Sequence, residues 1–192
     1  HTVESGTTAS DLCVKAANKL LEDLGWGKDT IDVIVFVSSS ADYVVPPTAC
    51  IIQEELGLPE TCLSIEIKHG CSGWVVGLNS AASLIMGGCL KRALLLCGDT
   101  STLLHSPFDK ETRPLFGDAG SCTALEFDTI ASTLEFEHGT RGKDFKSIYT
   151  PVGGCRNAVT AKDLEFIEYG PNQLRRNIDC TMDGMNVFAF GM

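Results

Sequence analysis

The stretch Cys62-Leu63-Ser64-Ile65-Glu66-Ile67-Lys68-His69-Gly70-Cys71-Ser72-Gly73-Trp74 sets the reading of the whole chain. Its first half is an apolar, β-branched run that suits a strand. From Val75 to Met86 the sequence is almost wholly apolar or small, with Gly73 and Gly77 one helical turn apart, which predicts a buried helix. Cys71 therefore stands where strand gives way to helix. The unpaired amides and the positive dipole end of a helix start favour a thiolate, and this makes Cys71 the candidate nucleophile.

Working outward, the same alternation recurs. Thr8 to Trp26 reads as an amphipathic helix, with Leu12, Ala16, Leu20 and Leu24 at one-turn spacing, Ser10-Asp11 among its capping residues and Gly25 and Gly27 near its end. Ile31 to Val37 is a β-branched run without polar alternation, the pattern of a strand covered on both faces. Pro46-Pro47 opens a second helix that ends at Leu56-Gly57. Arg92 to Cys97 is a further buried strand. Strand and helix in turn predict an α/β fold, with a mixed, mostly parallel sheet and helices on both faces. Beyond Thr100 lie a polar loop from Ser106 to Gly117, two expected strands (Ser121 to Phe127 and Ser132 to His138) and an irregular segment to Gly170. A short strand within Asn177 to Met182 and an apolar helical stretch from Gly184 to Met192 complete the reading.

Composition narrows the function. The chain has 192 residues and a net charge of −10, and its fifteen basic residues are scattered, which argues against a nucleic-acid partner. No apolar run reaches the roughly 18 residues of a membrane span, and the polar start predicts no signal peptide. Nine cysteines include no Cys-x-x-Cys pair and none with His at metal-ligand spacing. Most sit in apolar runs, so a reducing, cytoplasmic setting with inert core thiols is expected, Cys71 excepted.

Several segments carry a family likeness. They are Val35-Phe36-Val37-Ser38-Ser39, Val45-Pro46-Pro47-Thr48-Ala49, Gln53 with Leu56-Gly57, and Gly70-Cys71-Ser72-Gly73. Ala93 to Asp99, Leu115-Phe116-Gly117-Asp118-Ala119-Gly120 and Met182-Asp183-Gly184-Met185-Asn186-Val187-Phe188 continue it. In this order they resemble the β-ketoacyl-acyl carrier protein synthase III family of the thiolase superfamily. The resemblance implies that residues 1–192 form a single thiolase-like half-domain, half of an αβαβα layered fold, shortened at both ends relative to the family. It implies a decarboxylating Claisen condensation in fatty acid biosynthesis. Cys71 takes the acyl group from an acyl-coenzyme A primer and its backbone N–H serves an oxyanion hole, and malonyl-acyl carrier protein then supplies the enolate. Coenzyme A thioester and acyl carrier protein are thus the expected partners, in a homodimer, with no tightly bound cofactor and no metal.

The family's catalytic His and Asn come from its second half, so the chain alone is expected to be inactive. Of the four histidines, His69 neighbours Cys71 and is read as a polar or packing residue, not the base. The family's Asp-Arg before Thr is here Asp109-Lys110-Glu111-Thr112. Lys110 is the candidate coenzyme A contact without the planar fork of Arg. Val45 replaces a Phe that helps wall the acyl pocket of the neighbouring subunit. Trp74 replaces a Phe and is expected in buried helix packing, where Gly73 and Gly77 admit a second backbone. Asp118 is read as a turn residue. The alternatives are another acyl-coenzyme A condensing enzyme (hydroxymethylglutaryl-coenzyme A synthase-like or polyketide-type) and a non-catalytic dimerising or binding module. The Ser38 to Asp42 loop has no Glu, which counts against the synthase of hydroxymethylglutaryl-coenzyme A.

Overall fold

Val33–Val37 (β1) is buried along its whole length, as a strand without polar alternation must be. In the computed structural model, which describes residues 1–191, β1 lies between two parallel neighbours, Leu63–Ile67 (β2) and Arg92–Thr100 (β3). Asp118–Glu126 (β4) pairs antiparallel with β3, which gives the order β2-β1-β3-β4. The α/β architecture with a mixed, mostly parallel sheet is as the sequence predicts. Met192, the end of the expected apolar stretch, lies outside the described residues.

Alternate residues of the strands feed two cores. Ile34, Phe36, Leu94 and Leu96 pack under Ala9–Leu24 (α1) and Thr48–Leu56 (α2). Val33, Val35, Val37, Ala93 and Leu95 pack against Gly73–Met86 (α3) on the opposite face. Each fully buried aliphatic or aromatic side chain contributes about 1.5–3 kcal/mol, so the two-faced burial of β1 and β3 is the main source of cohesion in this unit. These elements, His1–Thr100 with Asp118–Phe136, form the first of two compact units.

Helix α1 starts at a capping box. Asp11 N–H donates to Thr8 Oγ1 and Thr8 N–H to Asp11 Oδ2. Ser10, expected among the caps, is buried and donates to Asp42 Oδ2 at 2.6 Å. The buried stripe also differs from the expected one: Ala9, Cys13, Ala17 and Leu21 face the sheet, while Leu24 is exposed. The cause is a close approach. Gly98 and Gly120 are register partners across β3 and β4. A Cβ on Gly120 would fall 2.7 Å from the Cys13 backbone nitrogen, and one on Gly98 would fall 2.7 Å from Cys13 Sγ. A helix so near the sheet has room only for small residues at the point of contact.

On the other face, Gly73 and Gly77 do the same for α3. A Cβ at Gly73 would lie 2.6 Å from Val37 Cγ1, and one at Gly77 would lie 2.5 Å from Leu95 Cδ1. The expectation that these glycines admit a second helix is therefore corrected, because they seat α3 on its own sheet. Trp74, Val75 and Met86 of α3 are left exposed.

The second unit comprises Ser101–Gly117 and Glu137–Met192. It has the short helix Ser101–Leu104 (α4), the 3-10 turns Arg113–Leu115, Gly142–Ser147 and Ala161–Leu164, and two small antiparallel pairs. Ile148–Tyr149 (β5) pairs with Thr181–Met182 (β8), and Ile167–Gly170 (β6) with Gln173–Arg175 (β7); Gly184–Gly191 (α5) follows. The strand expected over Ser132 to His138 does not form. Asp128 Oδ1 accepts from Ile130 N–H at 2.9 Å and turns the chain after β4. Ile130 and Leu134 are exposed, so the alternation that suggested a strand has no core to face.

The seating of α3 predicts that Gly77→Val lowers stability by about 1–3 kcal/mol, the usual cost of overpacking. Gly139→Ala, where a Cβ meets nothing within 4 Å, leaves the urea midpoint unchanged. Equal midpoints for the two variants would contradict the packing.

Candidate active site

The parallel pairing of the three strands stops at one level, at Val37, Ile67 and Cys97, while β3 runs on to Thr100 beside β4. Loops leaving the carboxyl ends of such strands are where open α/β sheets gather their chemistry. Ser38 N–H donates to Ile67 O at 3.2 Å and holds the first two loops together. Asp99 joins the third. Its Oδ1 accepts from Ser38 Oγ (3.0 Å), Ser39 N–H (2.7 Å), Ser40 N–H (3.0 Å) and Ser40 Oγ (3.0 Å). Sequence reasoning missed this clamp. Its signal was a carboxylate placed two residues past the apolar run Ala93 to Cys97, opposite a triple serine.

Cys71 occupies the β2–α3 loop, exposed, two residues ahead of the helix. Gly73 N–H donates to Gly70 O at 2.7 Å and makes the turn. The helix N-cap is Ser72, yet its side chain makes no capping bond. Its hydroxyl pairs instead with His69 Nε2 at 2.8 Å. His69 is therefore spent on orienting the turn, which fits a polar rather than a basic role. The first turn of α3, whose positive dipole end begins two residues after Cys71, has no side-chain cap over it.

The other cysteines divide into two groups. Burial pushes Cys13 and Cys122 up to about 12 and Cys62 and Cys97 up to about 11, so these thiols stay protonated near neutral pH. Cys180 is raised for the same reason. Cys50, Cys89 and Cys155 are exposed, which corrects the expectation that Cys71 alone lies outside the core. Position sets Cys71 apart from Cys89 and Cys155, whereas Cys50 lies in the first turn of α2, a helix start that also has no side-chain cap. Among the described residues no group of three or more His, Cys, Asp or Glu side chains could hold a metal ion.

The remaining candidates lie as follows. Val45 and Val44 are 79% and 95% exposed in the loop between β1 and α2. Trp74 is 45% exposed and donates from Nε1 to Thr123 Oγ1 at 3.1 Å, so it braces α3 against β4 and is not buried helix packing. Asp118 is not a turn residue: it opens β4, is buried, and accepts from Val3 N–H at 2.9 Å. Lys110 belongs to the second unit, where its backbone N–H donates to Asn172 O and its Nζ to Asn172 Oδ1 (3.3 Å). The adjacent Asp109 is buried, accepts from Glu111 N–H and faces Arg175 Nε at 3.5 Å. Two clefts in the second unit are lined without Cys71.

Comparison with known proteins places this geometry. Residues 65–142, which contain the Cys71 turn, match the family model for 3-oxoacyl-[acyl-carrier-protein (ACP)] synthase III. A crystal structure of a 3-oxoacyl-(acyl-carrier-protein) synthase III is 32% identical with a TM-score of 0.90, over 100% of this chain and 57% of that one. The 3-oxoacyl-(acyl-carrier protein) synthase of Burkholderia xenovorans LB400 is 36% identical with a TM-score of 0.82, over 99% and 53%. A β-ketoacyl-[acyl-carrier-protein] synthase III of Xylella fastidiosa is 30% identical over 95% of this chain and 59% of its own length. The chain thus spans about half the length of the relatives it matches. No helix among the described residues is long and apolar enough to cross a membrane. By its fold and these likenesses, the chain is similar to about half of a 3-oxoacyl-[acyl-carrier-protein] synthase III.

Proposed function

We propose that Cys71 is the acyl-accepting nucleophile of a decarboxylating condensation in fatty acid biosynthesis. The observation that carries this reading is the exposed thiol at the uncapped start of α3, on the carboxyl edge of the sheet. In the first half-reaction the sulfur attacks the carbonyl carbon of an acyl-coenzyme A. The carbon–sulfur bond to coenzyme A breaks, and the leaving thiolate takes up a proton. The Cys71 backbone N–H serves the oxyanion as charge gathers there. In the second, malonyl-acyl carrier protein loses carbon dioxide, its α-carbon forms the new carbon–carbon bond, and the bond to Cys71 Sγ breaks.

In the family the His and Asn that promote the second step come from its second half, and none of His1, His69, His105 and His138 sits in a matching motif. His69 is held by Ser72. Turnover therefore requires residues beyond this chain, and residues 1–192 supply the acyl-holding half. Acyl carrier protein and coenzyme A thioesters are the proposed partners, Lys110 a proposed contact for the coenzyme, and a reducing cytoplasm fits nine free thiols. The exposed Val44-Val45 loop fits a homodimer in which Val45 walls the partner's acyl pocket.

In the full-length protein, labelled acetyl-coenzyme A is expected to modify Cys71 and not Cys13, Cys62, Cys97 or Cys122, which burial keeps protonated. Label retained by a Cys71→Ala variant would refute the assignment. Val45→Phe is expected to lower kcat/KM for long or branched acyl-coenzyme A by about tenfold relative to acetyl-coenzyme A, the scale of steric selection in an apolar pocket. An unchanged ratio would remove Val45 from that wall.

A further inference from the structure

The second unit holds a cleft of about 1000 Å3 whose lining includes neither Cys71 nor Lys110. Phe145, Lys146, Tyr149, Arg156, Asn157 and Asn177 line it, and no carboxylate does. In a chain with 25 acidic and 15 basic residues, a cleft bearing two cations and no anion is a local reversal of charge. It concentrates positive potential where low-dielectric walls make it count.

The walls are held in place. Gly153 N–H donates to Asn157 O at 2.9 Å, and Asn157 N–H to Gly154 O at 3.2 Å. Asn157 Nδ2 donates to Pro151 O at 3.0 Å. Gly153 has φ +100°, a conformation that favours glycine. This closed turn carries the exposed Arg156. On the facing wall Asn177 is fixed from both ends of its amide. Tyr169 OH donates to Oδ1 at 2.7 Å, and Nδ2 donates to Asp163 Oδ1 at 2.8 Å. The rings of Phe145 and Tyr149 meet edge to face, with centroids 6.1 Å apart, and Lys146 Nζ stands 5.8 Å from the Phe145 centroid.

We propose that this cleft binds a nucleotide. The two rings offer a planar base its stacking surface, a contact worth about 1–3 kcal/mol per base. Arg156 offers phosphate a two-pronged guanidinium and Lys146 a point charge. The volume is in the range of small-ligand sites. An acidic peptide would use the cations but leave the rings idle, and an acyl chain would use the rings but not the cations. Cys71 plays no part, so the site stands or falls separately from the acyl-transfer reading. Free ADP and the nucleotide end of coenzyme A share this chemistry.

The test is calorimetric titration of the 192-residue chain with ADP, coenzyme A and pyrophosphate as separate probes, at low and high salt. ADP is expected to bind saturably below about 1 mM and more weakly as salt rises. Arg156→Ala and Phe145→Ala, both at exposed positions, are each expected to weaken ADP at least tenfold, while Lys162→Ala, outside the cleft, leaves it unchanged. ADP is also expected to slow alkylation of the neighbouring exposed Cys155. Binding of ADP without coenzyme A assigns the cleft to a free nucleotide, and binding of both to the coenzyme's nucleotide end. No saturable ADP binding, an unchanged affinity in Arg156→Ala, or pyrophosphate binding as tight as ADP would overturn the proposal.

Discussion

Close approach of helix to sheet is the constraint on which the first unit depends. Four glycines do the work, two on each face. Gly98 and Gly120 flatten the β3–β4 pair under Cys13 of α1, and Gly73 and Gly77 let α3 settle onto Val37 and Leu95. A single methyl at Gly73 would collide with the β-branched, buried Val37, a side chain with little rotamer freedom to yield. The second of these contacts has a chemical consequence. Gly73 is the first residue of α3 and Cys71 lies two residues before it, so the depth at which the helix sits sets where the thiol stands above the strand ends.

The carboxylate of Asp99 completes the frame. By accepting four hydrogen bonds from Ser38, Ser39 and Ser40 it fixes the loop that follows β1, and Ser38 in turn holds the end of β2. Charged acceptors of backbone and hydroxyl donors make stronger bonds than neutral ones. The edge that carries Cys71 is therefore built from polar closure above and glycine seating below.

Most of the first unit was legible because its strands are buried on both faces and its helices are bounded by glycine. The apolar runs read as a strand over Ile31 to Val37 and a helix over Val75 to Met86 form as Val33–Val37 and Gly73–Met86. The stripe of α1 was misread by one position, since Leu12, Ala16, Leu20 and Leu24 form the more apolar line. The sheet chose Ala9, Cys13, Ala17 and Leu21 on size, a preference that Gly120 imposes from more than a hundred residues away. The strand expected over Ser132 to His138 failed for a related reason: alternation reports a face, not whether anything covers it. Cys71 was found from its setting, whereas Asp99 was not, because the clamp joins the end of β3 to the loop after β1, about sixty residues away, and no single segment reveals it. Lys110 and Val45 were found through the family likeness, and the structure adds Asn172 beneath the one and full exposure around the other.

On the proposed role of Cys71, seating sets its reactivity, and the most direct measurement is the rate of acyl transfer from acetyl-coenzyme A to Cys71 in the full-length protein. Three forms are compared: wild type, Gly73→Ala, and Gly73→Ala with Val37→Ala. A displaced nucleophile loses about tenfold or more in rate for a shift of under an ångström. Gly73→Ala should thus acylate at least about tenfold more slowly while remaining folded, and the added Val37→Ala should restore much of the rate by removing the methyl it strikes. Wild-type rates in Gly73→Ala, or no recovery in the double variant, would contradict the dependence of Cys71 on the glycine seat.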